Sequence, residues 1–243
     1  MNKIKYIIIS LLVFTSCSKD NDDKLLATLE AYILNKSFEV GAVIACAASD
    51  ENTNEVLTFY YPEAGATNIR FYETETTQID ENDFSNYLQA QLQSEPFFNG
   101  YLGKFTKASA SEKWIIVTFE LGNEIKISNP IRSKQISKPT IWNDVVTIDQ
   151  SQSSMPNFMW QHNAFGDNAI YFQVVSNTQN NLLSGTYTYD NHFQYYNTSN
   201  VVLNVTTQTP PGLIIGNNYN FTLMDVSEDN WVNWVILKTF EAQ

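Results

Sequence analysis

Lys113-Trp-Ile-Ile-Val-Thr-Phe-Glu-Leu121 runs into Gly122-Asn123 and out again along Glu124-Ile-Lys-Ile-Ser128. Both runs are rich in β-branched and aromatic residues, the types that fit a pleated sheet. Only two residues separate them. Glycine at the first of those two positions is what a type II′ turn needs, so the stretch reads as a β-hairpin.

Working upstream, Phe38–Ser49, Val56–Tyr61 and Asn68–Thr77 have the same period-2, β-branched and aromatic character, bounded by polar clusters. Two interruptions read as helical. Leu25, Leu26, Leu29, Tyr32 and Ile33 recur at helical spacing, which predicts a short helix over 24–35. Asp80 can cap a second helix over 80–93, with Asp83 in the capping-box position and Phe84, Tyr87, Leu88 and Leu92 on one face.

Downstream, Pro139 makes helix continuation improbable and opens a second series of candidate strands: 158–162, 169–176, 182–189, 201–206, 219–227 and 230–240. In Leu183, Tyr187 and Tyr189 against Ser184, Thr186 and Thr188, an inside/outside alternation is expected. No helix-length crossover separates these segments, which disfavours a parallel α/β sheet. The expected fold is therefore mainly β: two tandem antiparallel β-sandwich domains, 24–138 with one or two short helices and 139–243. The halves resemble tandem immunoglobulin or fibronectin type III modules. Neither topology is singled out by the residues.

At the N-terminus, Lys3 and Lys5 precede the apolar run Tyr6–Phe14 and the small polar pair Thr15-Ser16, the layout of a secretory signal peptide over residues 1–16. A run of nine residues is about half of the ~20 that a membrane-crossing helix needs. Phe14-Thr15-Ser16-Cys17 resembles the lipobox of bacterial lipoproteins, with Phe14 in place of the usual Leu. The acidic tether 17–23, with Ser18-Lys19-Asp20-Asn21-Asp22-Asp23 after the cysteine, is similar to the segment that sends lipoproteins of Bacteroidota to the outer face of the outer membrane. That resemblance implies lipidation at Cys17, a membrane partner through the lipid, and a cell-surface address. The other cysteine, Cys46, lies in the apolar run Val43–Ala48 with no His or Lys nearby in sequence to activate it, and reads as a small buried hydrophobe.

Removing residues 1–16 takes away two lysines and no acid, leaving 12 basic against 26 acidic residues, a formal net charge of −14. Residues 145–243 contain seven acids and a single base, Lys238. Nucleic acid is thereby excluded as a partner. With 27 asparagines in the chain, solubility comes largely from uncharged polar groups, which also suit sugar hydroxyls.

The familiar hydrolase, zinc and nucleotide motifs are absent, so no catalytic residue, metal ligand or cofactor is expected. His162 and His192 fall in different segments and read as packed or rim residues. Glu73 and Glu75 share one strand face, read as solvated, and Asp80-Glu81-Asn82-Asp83 reads as helix capping without EF-hand spacing. Trp231 and Trp234, on opposite faces of a strand, and the pair Tyr195 and Tyr196 are the candidate ligand-binding aromatics, with core or inter-domain packing as their bland alternative. The functional expectation is a non-enzymatic, lipid-anchored envelope protein acting as a binding or adhesion module, for a glycan or an envelope protein. The rival classes are a carboxylate-dependent glycan hydrolase and a structural subunit of an envelope complex.

Overall fold

The computed structural model describes residues 27–53, 55–162, 166–206 and 208–243. The signal peptide, Cys17 and the acidic tether lie outside the described residues. Helix α1 (Leu29–Ile33) starts at Thr28, whose hydroxyl accepts from Ala31 N at 3.1 Å. It is shorter than the 24–35 expectation, of which residues 24–26 are not described. The first block then holds β1 (Ser37–Val43), β2 (Ala45–Ser49), β3 (Val56–Tyr60), β4 (Thr67–Glu73), β5 (Leu88–Ala90), β6 (Glu95–Phe97), β7 (Leu102–Lys107), β8 (Trp114–Leu121), β9 (Glu124–Ser128) and β10 (Ile131–Arg132). The second holds β11 (Ile141–Asn143), β12 (Thr147–Asp149), β13 (Asn157–Met159), β14 (Asn168–Asn177), β15 (Leu182–Thr188), β16 (His192–Gln194), β17 (Val201–Asn204), β18 (Asn218–Ser227) and β19 (Val232–Glu241).

The chain is mainly β, and the two blocks repeat one wiring. In each, the first strand pairs in parallel with the second strand of a late hairpin, β1 with β9 of β8–β9 and β11 with β19 of β18–β19. The next two strands form an antiparallel pair, β2–β3 and β12–β13, whose second member also pairs with β7 or β16. The opposing sheets run β9-β8-β4-β5 and β19-β18-β14-β15. This division of strands between two facing sheets is that of immunoglobulin-like sandwiches. Leu121 pairs directly with Glu124 across Gly122, at φ +61, and Asn123, which is not at positive φ, as the II′ hairpin demands.

Three sequence expectations change. The run 38–49 is two strands, because the β1–β9 register shifts between Val40 and Val43 and the chain then crosses from one sheet to the next. The helix over 80–93 contracts to a single 3₁₀ turn, Phe84–Asn86, and Leu88–Ala90 becomes an edge strand beside β4. Asp83 does cap, accepting from Ser85 N at 3.1 Å, but β4 offers the following residues a ladder that outcompetes helix propagation. Third, Ser184, Thr186 and Thr188 do not face water. All three are buried, and Gln173 bonds Thr188 Oγ1 at 2.6 Å and Thr186 Oγ1 at 3.1 Å.

Both faces of β15 are covered because the four sheets stack. Phe71, Phe105, Val117 and Phe119 fill the core between the first block's sheets, while Phe158, Phe193, Phe221 and Leu223 fill that of the second. A further core joins the blocks: Ala48, Leu57 and Phe59 meet Phe172, Val174 and Met224. Hence β3 is buried at all five positions, which removes the alternation that half-buried strands show. On the outermost face of the first block, α1 lays Leu29 and Ile33 over Tyr72, Ile116 and Ile127. Gly103 is required where β7 passes β3, since a methyl there would stand 2.0 Å from Tyr60 Cζ.

Candidate functional site

Of the four candidate aromatics, burial removes two from the surface. Trp231 is fully buried in the first block's core, and its indole Nε1 donates to Lys138 O at 2.9 Å. Tyr195 is likewise buried, with its hydroxyl donating to Pro211 O at 2.7 Å and burial pushing the phenol above its ordinary range. Trp234 is half-buried against the second block's core, its Nε1 without a hydrogen-bond partner among the described residues. Tyr196 is 43% exposed, at φ +76. The four rings do not assemble into one platform, because Trp231, just before β19, and Trp234, within it, enter different cores.

Tyr195 has an indirect part. The Pro211 carbonyl it holds lies on the rim of a concavity of about 550 Å³, formed where the β14–β15 turn meets the loop before β18. Its lining includes Asn177, Gln179, Asn217, Asn218, Ile214 and Tyr219, and no charged residue among those described. Asn177 Oδ1 shapes the turn, accepting from Gln179 N and Asn181 N, both at 3.0 Å. Tyr219 hydroxyl accepts from Ile214 N at 2.9 Å and fixes the opposite wall. The carboxamides of Gln179, Asn217 and Asn218 are engaged by no described hydrogen bond, and each offers two donors and one acceptor. Ile214 and Ile215 stand exposed beside them. Such a surface can hydrogen-bond hydroxyls in several directions and lay an apolar edge against a ring. No local motif announces it beyond the density of asparagine, because its two walls are 28 or more residues apart in the chain.

The titratable candidates have structural partners. Glu73 is bound by Lys107 Nζ at 2.6 Å and Lys113 Nζ at 2.5 Å, so it is an ion-paired, largely covered residue instead of a solvated one. Glu75 lies beyond the end of β4. Asp80 Oδ1 accepts from Asn82 N at 2.9 Å. His162 Nδ1 is 2.8 Å from Tyr171 hydroxyl, while His192 is exposed on β16. Tyr171 is pushed up to about 12 by burial and then by the negative charge of Asp225, a fully buried carboxylate that accepts from Asn168 Nδ2 at 2.9 Å. Cys46 lines a smaller cavity of about 220 Å³ at the junction of the blocks, and burial pushes its thiol up to about 12, away from nucleophilic use.

No protein-family model and no curated protein matches the sequence. Among solved structures, one of the receptor tyrosine kinase Torso in neurohormone perception is 11% identical over 86% of this chain and 76% of its own, with a TM-score of 0.25. Chicken interferon gamma receptor alpha chain is 10% identical over 82% of this chain and 94% of its own, at 0.23. At these TM-scores the fold rests on the strand order above. No described helix is long and apolar enough to cross a membrane.

Proposed function

We propose that the chain is a lipid-anchored, non-enzymatic binding module of the cell envelope, held at the outer membrane surface through Cys17 and presenting two sandwich domains, 24–138 and 139–243. Its ligand is a neutral, hydroxyl-rich molecule, with glycans the leading class. The observation that carries this reading is the uncharged concavity of about 550 Å³ whose Gln179, Asn217 and Asn218 side chains are free for a ligand. Buried polar groups that pair well give direction to binding, and neutral amides do so without the desolvation cost of a charge.

Residues 24–243 hold every described helix and strand and serve as the test protein. On a glycan array they are expected to bind a defined subset, and Gln179→Ala with Asn217→Ala to abolish it. An array without any bound glycan overturns the ligand class. The anchor is tested separately: radiolabelled fatty acid is expected to enter the full chain and not its Cys17→Ala variant, and equal labelling would refute lipidation.

A further inference from the structure

A second cleft, of about 480 Å³, lies along the block junction and shares Phe59 and Met224 with the cavity that Cys46 lines. It falls within the size range of small-molecule sites and in a favoured place for them, between packed domains. One wall is aromatic: Phe97 and Phe98 have ring centroids 4.4 Å apart, Phe59 lies 4.9 Å from Phe97, and Trp142 and Leu237 approach from the second block. Phe98 has φ +47 and Asn99 φ +52. A bulky residue in the left-handed region is an outlier, and such strain gathers where a ligand is clamped. The turn is also tied across the junction, Asn99 Nδ2 donating to Gln179 O at 3.2 Å.

The charged groups on the cleft wall are Lys104, Lys238 and Asp50. Lys238 is the single base of residues 145–243, and it is placed here. Each lysine has an acid partner that does not line the cleft: Glu95 at 3.3 Å from Lys104 and Asp144 at 2.8 Å from Lys238, both well exposed. Exposed pairs of this kind contribute little and yield readily to a better-placed anion. Asp50 is occupied by its own turn, its Oδ1 accepting from Asn52 N and Thr53 N at 2.9 Å, which holds the carboxyl below the usual range.

We infer that this cleft is a binding site for a small anionic amphiphile, an aromatic or aliphatic body on Phe97, Phe98 and Trp142 with its acid group at Lys104 and Lys238. The site is independent of the glycan reading.

The probes are 1-anilinonaphthalene-8-sulfonate and its uncharged relative N-phenyl-1-naphthylamine, titrated into residues 24–243 in the absence of detergent. The sulfonate is expected to bind saturably at one site and to be displaced by decanoate. Lys104→Gln with Lys238→Gln is expected to weaken the sulfonate by about tenfold or more while leaving the uncharged probe unchanged. Leu237→Gln, an exposed change at the lip, is expected to weaken both. An unchanged melting temperature in all variants shows that folding is intact. Absence of saturable sulfonate binding, equal affinity in the lysine variant, or binding of the uncharged probe alone each overturns the proposal.

Discussion

Trp231 of the second block pairs with Ala47 of the first in an isolated parallel bridge, and Ala47 N donates to Asn230 O at 3.0 Å. The indole thereby enters a core built otherwise from the first block's residues. Around it the β18–β19 turn is fastened further: Lys134 Nζ meets Asp229 at 2.6 Å, and Asn230 Nδ2 donates to Pro130 O at 3.1 Å. The hairpin tip is the bolt between the blocks, fastening the second to the first at the junction where the clefts lie.

Trp231→Ala leaves a large cavity and removes the indole hydrogen bond to the Lys138 carbonyl. We expect a loss of about 3–5 kcal/mol in stability, read from the guanidinium midpoint of residues 24–243. A loss under about 1 kcal/mol would show that the bolt is not structural.

Gly103→Ala places a methyl on the Tyr60 ring, which is stacked on Phe105 with centroids 5.5 Å apart and held to Ser94 at 2.5 Å. A cost of about 1–3 kcal/mol is expected. In a double-mutant cycle, Tyr60→Ala should cost less in the Gly103→Ala background than in the parent, and simple additivity would contradict the close approach.

Several carboxyls are held below their ordinary range in the folded chain. For Glu120 the leading cause is the hydrogen bond from Tyr32 hydroxyl at 2.6 Å, for Glu124 and Asp144 the bonds from Lys126 and Lys238, and for Asp50 the amides of its turn. A depressed folded value stabilises above the unfolded value, near ~4, and that contribution disappears as pH falls through the folded value. The guanidinium midpoint should therefore barely move from pH 7 to 5 and drop from pH 5 to 3, less steeply in Glu120→Gln. A midpoint that holds or rises down to pH 3 would contradict this.

The hairpin at Gly122 and the six strands expected after residue 157 were legible because their signals are local: a turn glycine, β-branched runs, polar punctuation. Short edge strands such as β11, β12 and β16 have three residues each and no such signal, so only their partners define them. The candidate aromatics were identified by type alone. Type does not tell a core ring from a platform ring, and Trp231 and Tyr195 proved to be core.

From residue order alone came the β character and the abundance of uncharged polar residues after residue 145, since each depends on side-chain chemistry within a short window. Stacking of four sheets, the passage of Trp231 into the neighbouring block, and the placing of Gln179 and Asn217 on one concavity and of Lys104 and Lys238 on one cleft belong to the tertiary structure. These placements bring together residues dozens of positions apart, and they are selected by which apolar faces must cover one another once every strand is paired.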